Sequence, residues 1–226
     1  ETVYKEAWRN GCKGCTVYRD GSRNNVLAAV KKETPKALIH HPGQAIKRPI
    51  ELEADVVRFQ NNKEKWIAFV GLDPEGRPYE IFTGLADDED GIFCPKGVTH
   101  GKIIKAMDAQ GRKRYDFQFV NKRGYKTTIE GLSEKFNPEF WNYAKLISGV
   151  LRYGMPIDQV LKLVGGLELD STSINTWKNG VERTLKKYMP NGAPASGQRC
   201  PNCGAETLVY QEGCLICKNC GTSKCG

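Results

Sequence analysis

The sequence predicts an α+β fold, with antiparallel hairpins first and helices after them. Three patterns predict it: two pairs of apolar segments, each closed by tight-turn residues; three apolar stripes at helical spacing downstream; and a Pro/Gly/Ser stretch that sets both apart from a cysteine-dense end. Chain order matters here, because strands grouped before helices pack as separate layers rather than as alternating β-α-β units.

Taken in order, "ETVYKEAWRNGCKG" is expected to be the last turns of a helix stopped by Gly11, followed by the short strand "CTVYR". A helix that opens without a cap is expected to belong to something longer upstream. Residues 31–47 sustain no period and contain Pro35 and Pro42, so they are expected to be a connector. An α+β domain is then expected over 48–188. "ELEADVVRF" is its first strand, and "KWIAFVGL" and "RPYEIFTGL" flank "DPEG" as a hairpin. "RYDFQFV" and "YKTTIE" around "NKRG" form a second hairpin. The acidic run Asp87, Asp88, Glu89, Asp90 between the hairpins is expected to be an exposed loop.

Helices follow. Asn137 is expected to cap the first, with Pro138 at its opening position, Phe140, Ala144, Ile147 and Leu151 on one face, and Gly154 at its stop. "PIDQVLKLV" is a short second helix. Ser173 or Ser171 is expected to cap a third, whose stripe is Ile174, Trp177, Val181, Leu185 and Tyr188. Trp141 and Trp177 are therefore core residues rather than site residues. Residues 189–199, "MPNGAPASGQR", are expected to be a flexible linker carrying the module at 200–226.

The net charge of +8 raises a nucleic-acid reading. Most of the excess sits in Lys102, Lys105, Arg112, Lys113, Arg114, Lys122, Arg123 and Lys126. No RNA-binding aromatic signature or helix-turn-helix accompanies them, so a solvated basic hairpin is expected. No run approaches the ~20 apolar residues of a membrane span, and nothing at the start is ordered like a signal peptide. A cytoplasmic protein with no membrane partner is expected. Nine cysteines distributed as Cys12, Cys15, Cys94 and six in the last stretch argue for metal and thiol chemistry, not a disulfide scaffold.

"CPNCG" at 200–204 and "CKNCG" at 217–221 are two C-x2-C knuckles, each followed by Gly and separated by enough chain for a ribbon hairpin. Tetrahedral Zn²⁺ takes four thiolates at about 2.3 Å, and each knuckle brings two sulfurs to one ion. The expected ligands are Cys200, Cys203, Cys217 and Cys220. The glycines are expected at positive φ, freeing a backbone N–H to face a sulfur. A rival set replaces Cys220 by Cys214. Cys214 and Cys225 are left over in the first case, Cys220 and Cys225 in the second. The leftover pair is either a spare set of thiols or a dithiol for thiol–disulfide exchange, with Lys218 and Lys224 favouring the thiolate.

"YKEAWRNGCKGCTVYRDGSR", Tyr4 to Arg23, resembles the segment that closes the catalytic barrel of adenosylcobalamin-dependent (class II) ribonucleotide reductases. The end, "CPNCG" with "EGCLICKNCGTSKC", resembles their cysteine-rich tail, and the middle, with "GRPYEIFTG", resembles the accessory domain between the two. The resemblance implies that residues 1–30 finish a barrel and that Cys214 and Cys225 are a redox shuttle pair. That pair would re-reduce the active-site disulfide and be recharged by thioredoxin or a similar donor, while the other four sulfurs hold Zn²⁺. Val17 before Tyr18 departs from the paired tyrosines of class I reductases, as suits a cobalamin enzyme. The resemblance places adenosylcobalamin and the ribonucleotide substrate on an upstream catalytic portion, so this chain alone is not expected to reduce nucleotides. The competing reading is a non-enzymatic zinc ribbon that binds nucleic acid through residues 102–126.

Overall fold

The computed structural model describes residues 2–13, 45, 47–87, 89, 91–169, 175–195 and 197–224. The chain divides into two compact units, Glu1–Lys36 and Ala37–Gly226. In the first, helix α1 spans Thr2–Arg9 and ends before Gly11 at φ 69°, where the sequence places its stop. The strand expected at "CTVYR" and most of the connector at 31–47 lie outside the described residues.

The second unit is α+β. Six strands, β1 (Glu51–Asn61), β2 (Glu64–Leu72), β3 (Pro78–Leu85), β4 (His100–Met107), β5 (Lys113–Val120) and β6 (Lys126–Ile129), form one antiparallel sheet in the order β3-β2-β1-β4-β5-β6. Helices α2 (Pro138–Arg152), α3 (Ile157–Gly165) and α4 (Trp177–Lys186) follow, and β7 (Leu208–Gln211), β8 (Cys214–Cys217) and β9 (Ser223–Lys224) make a second, three-stranded sheet.

Three hairpins of the large sheet share one turn. In Asp73–Arg77, Asp108–Arg112 and Asn121–Tyr125, the first residue donates its N–H to the carbonyl of the fifth at 2.9 Å. The side-chain Oδ1 of that first residue accepts the N–H groups of the third and fifth. The fourth residue is Gly76, Gly111 or Gly124, at φ 78°, 75° and 83°, a conformation that costs any residue with a Cβ. These turns fix the register of β2–β3, β4–β5 and β5–β6. Strand β4 has no counterpart in the sequence reading. Its "KIIK" centre breaks strict alternation because Ile104 is half-buried on the face opposite the fully buried Ile103.

The sheet curls strongly. Phe69 of β2 and Phe117 of β5 have ring centroids 4.6 Å apart, and Phe82 of β3 and Tyr115 of β5 are 5.1 Å apart, across two or more intervening strands. One core, with Val56, Phe69, Phe82, Ile103, Phe117 and Leu132, fills the concave side. A second core lies between the outer face and the helices, where Trp66, Ala68, Val70 and Ile81 meet Ile147, Val160, Val181 and Leu185. Strand β2 is buried on both faces, which is why "WIAFV" is apolar without alternation.

Asn137 caps α2 as expected, accepting from the Glu139 N–H, and Gly154 follows its end at φ 75°. The cap of α4 differs from the expectation. Thr176, not Ser173 or Ser171, stands in extended conformation and accepts from the Asn179 N–H. The helix begins at Trp177 because its N–H is taken by Asn61 Oδ1 at 2.8 Å and its indole N–H by Thr83 Oγ1 at 2.9 Å. Ser171, Ser173 and Ile174 lie outside the described residues.

Candidate metal centre

Residues 189–199, where a flexible linker was expected, carry specific backbone partners. Gly192 N–H donates to Tyr210 O, Tyr210 N–H to Ala193 O and Ala195 N–H to Leu208 O, so this stretch lies beside β7. The ribbon hairpin also meets the α+β domain. A Cβ on Gly213 would stand 3.1 Å from Lys187 Cα, and Met189, Ala195, Leu208 and Tyr210 belong to the same apolar cluster as Trp177 and Leu185. The composition of 189–199 reports only the absence of local core formers. What holds the stretch is the edge of β7, which is not local.

The hairpin β7–β8 turns at Glu212 and Gly213, at φ 50° and 81°, the paired left-handed conformations of a type I′ turn. On either side of it stand the knuckles, and they are built alike. Gly204 N–H donates to Cys200 O at 2.8 Å and Gly221 N–H to Cys217 O at 2.9 Å. Cys200 N–H donates to Ala205 O and Cys217 N–H to Thr222 O, both at 2.9 Å. Both glycines have positive φ, 72° and 73°, as the sequence predicts. Their N–H groups close the turn on a carbonyl, however, and do not face a sulfur. The backbone amides that act on the thiols are those of Asn202 and Cys203 on Cys200, of Asn219 and Cys220 on Cys217, and of Thr222 on Cys220.

The four knuckle sulfurs lie within 4.8 Å of one another. Cys200 Sγ is 3.6 Å from Cys220 Sγ, and Cys203 Sγ is 3.6 Å from Cys217 Sγ. Four sulfurs at about 2.3 Å from a tetrahedral ion stand about 3.8 Å apart, so the donor set fits Zn²⁺ in chemistry and in size. Asn202 Nδ2 donates to Cys220 Sγ and Asn219 Nδ2 to Cys203 Sγ, each at 3.6 Å, so each knuckle supports a sulfur of the other. Thr207 Oγ1 lies 3.3 Å from Cys217 Sγ, and Thr222 Oγ1 lies 3.1 Å from Cys220 Sγ. The sequence reading missed these polar residues, although an Asn precedes the second Cys in both "CPNC" and "CKNC".

The thiols are held unequally. The Thr222 hydroxyl and N–H, then Asn202, pull Cys220 down to about 5. Thr207 and the Cys220 N–H lower Cys217. At Cys200 the Cys203 N–H pulls downward, but burial and the adjoining sulfurs of Cys220 and Cys203 outweigh it and push the thiol up to about 11. Four negative sulfurs at this spacing repel strongly, so a divalent cation and the loss of the remaining protons go together.

The sulfurs gathered here are those of the first ligand set and not of the rival one. Cys214 is disulfide-bonded, whereas Cys200, Cys203, Cys217 and Cys220 are free thiols. Cys225 lies outside the described residues. Of the other cysteines, Cys12 is exposed and Cys94 is half-buried, with Arg58 against its carbonyl and sulfur. Burial raises the Cys94 thiol despite that guanidinium. In the basic stretch, Lys102 pairs with Glu51 and Glu53, Arg112 with Asp108, and Arg114 with Asp116 and Glu130. No helix among the described residues is long and apolar enough to cross a membrane.

Fold and site together define an α+β domain that carries a small cysteine ribbon able to hold one metal ion. Residues 52–190 match the family model described as the NrdJ homologue C-terminal domain, and the chain belongs to that family. The match supports a link to the class II ribonucleotide reductase NrdJ. No curated protein and no solved structure matches the chain.

Proposed function

We propose that this chain is the C-terminal part of a cobalamin-dependent ribonucleotide reductase and that its ribbon re-reduces the catalytic site. The observation that carries the reading is the division of labour among the ribbon sulfurs: four are clustered as free thiols, while Cys214, three residues from the ligand Cys217, is in a disulfide. The β8–β9 register supports Cys225 as its redox partner. Ile216 pairs with Ser223 and Leu215 with Lys224; in the sequence Cys214 directly precedes Leu215 and Cys225 directly follows Lys224.

In this reading Cys200, Cys203, Cys217 and Cys220 hold Zn²⁺ and keep β8 and β9 in register. The Cys214 and Cys225 thiols together give up two electrons and two protons, closing one S–S bond as the disulfide of the catalytic portion opens to two thiols. A thioredoxin-type dithiol then opens the S–S bond at Cys214 and is itself oxidised. Adenosylcobalamin belongs to the upstream catalytic portion, where it supplies radical chemistry. The segment paired with β7 at 192–195 favours delivery of the ribbon together with the α+β domain, not on a free eleven-residue tether.

The test is turnover by the enzyme that contains both the catalytic portion and this chain. Cys225→Ser should complete about one turnover from a pre-reduced site and then stop with thioredoxin as donor, and a small dithiol should restore cycling. Sustained thioredoxin-driven turnover by Cys225→Ser rejects the shuttle.

A further inference from the structure

The two edges of the large sheet are treated differently. Strand β3 is covered by α2, whose Ser148 accepts the Ile81 N–H. Among the described residues, strand β6 pairs with β5 alone. Tyr125 O accepts the Asn121 N–H, so Tyr125 turns its backbone toward β5, and by strand alternation the N–H and C=O of Lys126 and Thr128 point to the free edge. Beside this edge the concave core opens in a groove of about 500 Å³, lined by Phe93, Pro95, Phe119, Thr127, Ile129 and Lys135 among others. Phe93 is 59% exposed there, although it neighbours the fully buried Ile92.

Lys135 lines the groove, and the neighbouring segments, the loop after Phe93 and the β5–β6 hairpin, are rich in cations. Lys96, Lys122, Arg123, Lys126 and Lys135 are all exposed, and none has an acidic partner among the described residues. Lys122 leans over the loop that carries Phe93, its Cε 3.6 Å from where a Cβ on Gly97 would stand. Glu130 is the acidic residue of the lining, and Arg114 takes it up at 3.3 Å.

We propose that β6 and this groove are a docking site for an extended segment of another protein chain that alternates acidic and apolar residues. The segment adds as a strand to the Lys126 and Thr128 edge, lays its apolar side chains against Phe93, Phe119 and Ile129, and turns its carboxylates to the neighbouring lysines. Strand addition supplies main-chain hydrogen bonds in register, and the groove selects alternate side chains. The occupant is peptide rather than nucleic acid because the site offers a backbone ladder and an apolar floor, whereas stacked bases would need a row of flat aromatic platforms. Tyr125, 67% exposed at the hairpin tip, is a single platform off the groove.

The probe is the fluorescently tagged, capped peptide Asp-Val-Glu-Ile-Asp-Val-Glu, titrated by anisotropy against the whole chain. Saturable binding is expected, weakened at least about tenfold by Thr128→Pro, which removes one outward N–H from an edge strand where proline is tolerated. Lys126→Glu should weaken it severalfold, and the same peptide N-methylated at alternate amides should not bind. The N-methyl arm decides the question if Thr128→Pro lowers the melting temperature. Equal binding of the N-methylated peptide, no binding of the parent peptide, or displacement of the peptide by an equimolar oligouridylate would each overturn the proposal.

Discussion

Ser148 on α2 accepts the backbone N–H of Ile81, 67 residues earlier on β3, at 3.0 Å, and gives its own proton to Ala144 O at 2.7 Å. Both partners are buried, so the hydroxyl seals the outer edge strand of the sheet against the helix. Ser148→Ala leaves an N–H in the core without a partner. It should cost about 1–3 kcal/mol in urea unfolding with an unchanged slope.

Glu80 is fully buried between two guanidiniums, Arg48 Nη2 at 2.6 Å and Arg152 Nη2 at 2.7 Å. Arg48 also reaches the carbonyls of Pro49 and Ile50, so this cluster pins the entry of the chain to β3 and α2. Removing the carboxylate alone strands buried positive charge. Glu80→Leu should destabilise by about 3–5 kcal/mol, and Arg48→Met in that background should recover part of the loss, as a double-mutant cycle would show.

Tyr188 donates to Asp55 Oδ2 at 2.6 Å, and Asp55 Oδ1 lies 2.7 Å from His100 Nδ1. Burial, then the Asp55 carboxylate, raises the phenol well above its ordinary value of 10.0. A raised folded-state value for an acid that is neutral when protonated means that its contribution is complete below 10.0 and lost as the pH rises beyond it. Thermal stability should therefore fall above about pH 10, and Tyr188→Phe should flatten that limb. Some slope should survive, because burial raises Tyr79 in the same direction.

Cys217 is almost fully buried and joins the apolar cluster that ties the ribbon to α4. Cys217→Ser should lose stoichiometric zinc and release the ribbon, with hydrogen exchange rising at Gly192 and Ala195, since such sites couple metal binding to folding. Cys214→Ser should keep its zinc. Retained metal in the first variant with loss in the second would restore the rival ligand set.

Legibility in the sequence tracked how local each feature is. The knuckles announce themselves because ligand, spacing and glycine sit within five residues of one another, and the "DPEG" and "NKRG" turns carry their own conformational requirements. The cap of α4 is not legible locally because Thr176 competes with nearby serines that are equally good caps, and the choice is made by Asn61, more than a hundred residues upstream. Glu80 reads as an ordinary strand residue, since Arg48 and Arg152, which permit its burial, come from distant segments. The pairing of 192–195 with β7 was hidden for the same reason.

The most direct test of the account counts thiols and metal together in the purified chain. Exposure to reduced thioredoxin should add two titratable thiols per chain while one zinc remains bound, and Cys214→Ser should add none. Reduction that releases zinc, or no gain in thiols with the metal in place, would contradict a ribbon in which four sulfurs hold the fold and two carry electrons.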